Sequence, residues 1–284
     1  MGNLQGVGMT IESYLNQVFQ KDVLELLREL PDESIDMVYG DPDYNVGVKY
    51  GEISYKTTFN EYVEWYISLA RESLRVLKPT GNMFFINYPK QNAYLRVKFL
   101  DDACYEVSDY VWVYNTNVGH TSSRFTTAHR SILHCRKTRD NHFYKDSVAV
   151  PYKNPTDRRI LSNLANGSKG RMPYDWFYYN LVKNVSREKT VHACQIPQAL
   201  AEMLVKACTM PNDIVLVLFG GSGSEVEVCK FLHRQYISAE LDPKYYQMIV
   251  DRLKNGHIDQ RYKLHLRKAK TKENQTSLPL EVEV

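Results

Sequence analysis

Little in this sequence points to metal or disulfide chemistry. Its 284 residues include five cysteines, Cys104, Cys135, Cys194, Cys208 and Cys229. No two stand at zinc-ligand spacing, and an odd, scattered set does not make a disulfide framework. Reduced core thiols in a cytoplasmic protein, with no metal site, are the expectation. No run is apolar enough to span a bilayer, and Met1 to Thr10 lack the basic-then-apolar layout of a secretion signal, so no membrane partner is expected. An excess of one charge is also missing: 36 Lys and Arg face 33 Asp and Glu, for a net charge of +3. So mild a balance neither supports nor excludes a nucleic-acid partner, because basic residues gathered on one face suffice. No internal repeat is visible. Tyrosine is plentiful, at 21 residues, which suits base stacking but equally fills cores and surfaces.

The hydrophobic pattern alternates between helix and strand periods. Asp22 to Leu30 reads as an amphipathic helix stopping near Pro31, and Ile35 to Gly40 as a buried strand opening into Asp41-Pro42-Asp43-Tyr44. A long helix is expected from Phe59 to Lys78, closed by Pro79-Thr80-Gly81. Next come a strand at Asn82–Asn87, a helix at Lys90–Ala103, and strands at Tyr110–Tyr114 and Ser131–Cys135. From about Lys137 to Val191 the periodicity fades, and Pro, Asn, Gly, Arg and Tyr dominate. This is either an irregular surface region or a recognition insert. Pattern returns with a helix at Pro197–Thr209, a strand at Ile214–Phe219, a helix at Ser224–Arg234, a strand at Gln235–Leu241 and a helix at Pro243–Lys254. Alternation of this kind predicts an α/β doubly wound sheet, which binds ligands beyond the carboxyl ends of its strands.

Two strand ends carry loops suited to chemistry. Phe219-Gly220-Gly221-Ser222-Gly223-Ser224 is a glycine-rich turn between strand and helix, and Glu240 lies about one strand further on. Glycines let the backbone approach a ligand, and an acid at that place grips ribose hydroxyls; the plain alternative is a packing turn. At Asp41-Pro42-Asp43-Tyr44 a carboxylate can accept hydrogen bonds from an amino group while a ring stacks on its heterocycle; the plain alternative is an Asp-Pro turn. His192-Ala193-Cys194-Gln195-Ile196-Pro197 precedes a helix and has no matching metal partners nearby.

Taken together and in this order, the motifs resemble the S-adenosylmethionine-dependent amino methyltransferases of restriction–modification systems in their permuted "beta" arrangement. There an Asp-Pro-Pro-Tyr type of catalytic motif comes first and a Phe-x-Gly-x-Gly cofactor loop last. The resemblance runs from about Val18 to Leu253. It implies a Rossmann-like sheet with a small recognition insert and S-adenosylmethionine as cofactor. The division it implies is a catalytic half at 11–136, a target-recognition region at 137–191, a cofactor-binding half at 192–256 and a flexible tail at 268–284. Asp41, Pro42 and Tyr44 match the catalytic positions. Phe219, Gly221 and Gly223 match the cofactor loop, Glu240 the ribose acid, and His192, Gln195 and Pro197 a segment near the cofactor's methionine end. Asp22 matches a position near the adenine, but equally reads as an acid complementing a helix dipole.

The implied substrate is a DNA base flipped from the stack, with Arg124, Arg158, Arg159, Lys169 and Arg171 as candidate contacts, mostly to phosphate. A solvated basic surface is the alternative for each. Asp41, where cytosine-N4 enzymes more often have Ser, favours adenine N6. The rivals are cytosine N4, and a non-catalytic DNA-binding subunit of the same fold. A homodimer and a cognate restriction endonuclease are further partners that the resemblance leaves open. The chain departs from the family pattern at Asp43 (usually Pro), at Val217-Leu218 (usually Asp-Pro), and at Ala193, Cys194 and Ile196. Asp43 adds a second negative charge beside Asp41 and is expected to raise the pKa of one of the pair.

Overall fold

The computed structural model describes residues 10–50, 53–54, 57–115, 122–183, 186 and 188–264; the expected tail at 268–284 lies outside them. Its strands are β1 (Gln17–Phe19), β2 (Ile35–Gly40), β3 (Lys49–Tyr50), β4 (Ile53–Ser54), β5 (Leu77–Asn87), β6 (Glu106–Val113), β7 (His129–Arg136), β8 (Trp176–Tyr178), β9 (Ile214–Val217) and β10 (Gln235–Ala239). Eight of them form one mixed sheet in the order β1-β10-β9-β2-β5-β7-β6-β8, and β3 and β4 form a separate hairpin. The β1-to-β5 half is parallel, and β7 is antiparallel to both its neighbours.

The helices are α1 (Val23–Glu29), α2 (Phe59–Val76), α3 (Pro89–Leu95), α4 (Asp101–Ala103), α5 (Arg158–Ala165), α6 (Gln198–Cys208), α7 (Ser224–Phe231) and α8 (Pro243–Asn255). Local chemistry fixes several boundaries. Asp22 caps α1, its carboxylate accepting from Leu24 N at 2.8 Å and Glu25 N at 3.3 Å. Thr58 and Glu61 form a reciprocal capping box at α2, and Gly256 ends α8 with a left-handed φ of 70°.

Strand alternation sorts the core onto two faces. Val38, Leu216 and Ile237 meet Leu26 and Leu27 of α1 and Tyr66 of α2. Met37, Tyr39, Val215 and Val217 meet Leu200 and Leu204 of α6 and Val226 and Cys229 of α7. Each fully buried aliphatic side chain contributes roughly 1.5–3 kcal/mol.

The expected α/β doubly wound sheet is therefore present, with differences in detail. β5 begins at Leu77, not Asn82, because Lys78 to Gly81 are carried as an irregularity in its pairing with β2. The expected helix at 90–103 is broken by a π-type turn over Arg96–Leu100. The irregular 137–191 region holds α5, with no buried residue, and β8, which extends the sheet beside β6. Among the described residues, no helix is long and apolar enough to cross a membrane.

Candidate active site

Register brings the two sequence motifs together. Tyr39, Val217 and Ser238 form one row across β2, β9 and β10. Asp41, Phe219 and Glu240, each two residues further along, therefore leave the sheet side by side at its carboxyl edge. A cleft of about 360 Å³ opens there, lined among others by Asp22, Asp41, His192, Phe219, Gly221 and Glu240. It lies at the β2/β9 boundary, where the strand order reverses, the expected ligand position in such a sheet.

At the Asp41 end the charge is poorly compensated. Tyr44 Oη donates to Asp41 Oδ1 at 2.5 Å. Asp41 keeps some surface open to the cleft but is otherwise enclosed by protein. Burial is the main reason its pKa rises to about 7; the Tyr44 hydrogen bond and the nearby Arg130 oppose the rise, and Asp43 adds to it. The expected effect of Asp43 thus has the right direction, but desolvation outweighs it. Asp43 Oδ1 accepts from Asn45 N at 2.7 Å, and its carbonyl accepts from Tyr62 Oη at 2.6 Å. These bonds brace the loop where the family pattern has a second proline.

Tyr44 differs from expectation. Its ring is only 4% exposed, does not line the cleft, and packs edge-on against Tyr88 at 5.2 Å. No face is open for stacking; the hydroxyl, aimed at Asp41, is the part that reaches the site. Pro42 is likewise buried outside the cleft lining. The aromatic side chains that do line it are Tyr62, Trp65, Phe219 and Tyr245. Tyr62 and Trp65 escaped sequence reading because they sit within the ordinary apolar stripe of α2.

The glycine loop is fastened to Glu240. One carboxylate oxygen accepts from Gly221 N at 2.8 Å and the other from Asp242 N at 2.9 Å. Burial raises its pKa, and these backbone bonds oppose the rise. Each oxygen retains a second lone pair for a ligand hydroxyl. Gly221 has φ 54°, and a Cβ there would lie 3.2 Å from His192 Nε2, so the loop's close approach to the cleft needs glycine. Gly223 lies outside the cleft lining; it caps α7 with φ 76°, and a Cβ there would press on Arg252 and Ile249 of α8 at 3.3 Å. Helix packing by itself requires glycine there.

The 192–197 segment splits in the same way. His192 lines the cleft with its ring against Tyr245 at 4.6 Å. Burial, aided by Lys189, lowers its pKa to about 4, so the imidazole is neutral at pH 7. Gln195 lies behind it: its Oε1 accepts from Thr190 N and Oγ1, both at 3.1 Å, and its Nε2 donates to Glu188 O at 3.2 Å. Pro197 is the N-cap of α6. Neither lines the cleft. Asp22 caps α1 and also lines the cleft.

The five basic candidates lie away from this lining. Arg124, Arg158, Arg159 and Lys169 are exposed, and Arg171 is half-buried with its guanidinium 4.5 Å from the Tyr174 ring centroid. Tyr174 in turn stacks on exposed Trp176. Arg158 and Arg159 open α5, the helix end at which positive charge is least favoured.

A strand-end carboxylate and a glycine loop with its acid, sharing one cleft of a doubly wound sheet, define a nucleotide-cofactor enzyme of the methyltransferase type. Residues 35–251 match the family described as DNA methylase of the N6/N4 kind, and the chain belongs to it. It is 30% identical over 249 residues to the type II methyltransferase M.HpaI of Haemophilus parainfluenzae, covering 85% of this chain and 77% of that one. It is 26% identical over 245 residues to the DNA adenine methyltransferase YhdJ of Escherichia coli (strain K12), covering 83% and 82%. Among solved structures, the cytosine-N4-specific PvuII DNA methyltransferase superposes with a TM-score of 0.65 at 20% identity, covering 89% and 90%. The M1.HpyAVI–SAM complex superposes with a TM-score of 0.59 at 23% identity, covering 84% and 98%. At those identities the two structures speak for the fold.

Proposed function

We propose that this DNA methyltransferase moves a methyl group from S-adenosylmethionine to N6 of an adenine flipped out of DNA. The observation that carries the reading is the single cleft shared by Asp41 and the Gly221–Glu240 unit. The residues fit the cofactor: Glu240 has acceptor capacity left for ribose hydroxyls, and Gly221 leaves room that a Cβ would take. When bound, the cofactor supplies an electrophilic methyl group on a sulfonium.

Asp41 accepts a hydrogen bond from the target amine, which keeps lone-pair density on nitrogen directed at the methyl carbon. Tyr44 orients that carboxylate through its hydroxyl. With a pKa near 7, Asp41 is also matched to receive the proton that the amine sheds as the new bond forms. The carboxylate favours adenine over cytosine because it is a stronger acceptor than the serine hydroxyl more usual in cytosine-N4 enzymes. The type II names of the relatives support a cognate endonuclease acting on the same site as the chain's partner in function.

The test is nucleoside mass spectrometry of DNA methylated by the purified protein. N6-methyladenine is the expected product. Methylcytosine as the main product would overturn the base assignment, and no methylated nucleoside on duplex or single-stranded DNA would favour the non-catalytic subunit.

A further inference from the structure

A further carboxylate in the cleft has no role so far. Glu225 stands in the first turn of α7, is 7% exposed, and lines the cleft with Asp41. A buried carboxylate is costly unless it is paired, yet among the described residues Glu225 forms no ion pair. The charged and titratable groups acting on it are Asp41 at the end of β2 and Arg252 on α8, and it acts in turn on Tyr39 of β2 and on Cys229 one turn further along α7. Arg252 is already engaged: its guanidinium pairs with Glu227 at 2.7 Å and donates to Ser222 O at 2.8 Å. Burial first, then Asp41, raises the Glu225 pKa to about 8. Tyr39 Oη, fully buried nearby, has no hydrogen-bond partner.

Asp41 and Glu225 therefore act on one another within the cleft; Tyr44 and Arg130 support the first, and Arg252, shared with Glu227, and the N-terminus of α7 support the second. Val217, where the family pattern has Asp, pairs in register with Tyr39 and points to the sheet face on which α7 packs. Glu225 stands in the first turn of that helix.

Resting on the cofactor reading above, we propose that Glu225 is the counter-charge for the cationic methionyl end of S-adenosylmethionine, favouring the sulfonium over the neutral thioether product. S-Adenosylhomocysteine keeps the ammonium and carboxylate but lacks the sulfonium charge. A buried carboxylate facing that end distinguishes the two by Coulomb attraction at low local dielectric, and so helps product leave after transfer.

Titration calorimetry of the full chain and its E225Q variant with each molecule tests this. For E225Q, affinity for S-adenosylmethionine is expected to fall by about tenfold or more, while S-adenosylhomocysteine loses about threefold or less. Retained product binding shows that the variant's cleft is folded. In wild type, binding S-adenosylmethionine at pH 7.5 releases protons, read from buffers of different ionisation enthalpy, and E225Q releases fewer. Unchanged affinity, or an equal loss for both molecules, would overturn the assignment. A wild type that binds neither molecule would overturn the cofactor reading, and this inference with it.

Discussion

Two carboxylates stand at the ends of β2 and β10, on either side of β9, in one cleft, and they are held in opposite ways. Glu240 is fastened, with a backbone N–H on each oxygen. Asp41 has one phenol hydroxyl for support, a second carboxylate close by, and a pKa pushed to about 7. On the function proposed above, the contrast separates two tasks. A binding acid gains from being fixed before its ligand arrives, since ordering it then costs nothing further. A group that must meet a reacting amine gains from tension, because the unsatisfied charge is relieved only when the amine is in place.

The sharpest way to break this comparison is at Asp41. Asp41→Ala should lower single-turnover methylation by roughly 10²–10⁴-fold while the cofactor dissociation constant changes by about threefold or less. Rapid-quench methylation and calorimetry on the same preparation read the two effects separately. A variant with normal turnover removes Asp41 from the chemistry.

The tension should also be visible as stability. A carboxyl whose folded pKa is raised binds more protons in the native state than in the unfolded one between the two pKa values. Stability therefore falls as pH rises from about 4 to about 7, and the loss is complete above that. From 3.8 to about 7 it amounts to about 4 kcal/mol. Asp41→Asn should accordingly unfold at higher urea than wild type at pH 8, by up to that amount, with the gap closing towards pH 4. Equal midpoints at pH 8 would show that Asp41 is not under strain. The same group predicts that wild-type kcat/KM falls on the acid side of about pH 7, where the carboxylate is protonated.

At the other end of the cleft the order of effects should reverse. Glu240→Ala removes the acceptor for Gly221 N and for the ligand, and should weaken cofactor binding by roughly 10–100-fold, equivalent to 1.5–3 kcal/mol. Turnover at saturating cofactor should stay within a few-fold of wild type. Gly221→Val should act in the same direction, through its φ of 54° and the nearby His192 ring. A large kcat loss with unchanged affinity would erase the division between the two ends.

Much of this was legible in the sequence, because the sheet's parallel half is written in apolar runs and the site in strand-end residues. Ile35–Gly40 has the expected bounds, and Asp41 and Gly221 share a cleft as their positions after strands required. Other features depended on three dimensions. β1 is three residues long and gains its identity only from pairing with β10. The enclosed Tyr44 ring depends on Tyr88 and on Gln91, whose Nε2 holds the Tyr44 carbonyl at 2.8 Å. Glu225 carries no motif in the sequence; only packing against the sheet shows that it is buried in the cleft.

The smallest expected effect concerns the region furthest from the cleft in character. Arg158, Arg159 and Lys169 are exposed, and Arg171 rests on Tyr174, which stacks with Trp176. The two arginines opening α5 lie against the helix dipole, an arrangement that costs a few tenths of a kcal/mol and is relieved when an anion sits between them. If this surface tracks a phosphate backbone, each lost contact should reduce the slope of log affinity against log salt by about one unit. It should do so on cognate and unrelated DNA alike, because phosphates carry no sequence information. Alanine at Arg158 or Arg159 should thus weaken DNA binding modestly at low salt and very little at high salt, with cofactor affinity untouched. Anisotropy titrations across a salt series measure the slope. Four single variants at 158, 159, 169 and 171 that all keep the wild-type slope would place the DNA on another face, and would leave the contrast between Asp41 and Glu240 standing.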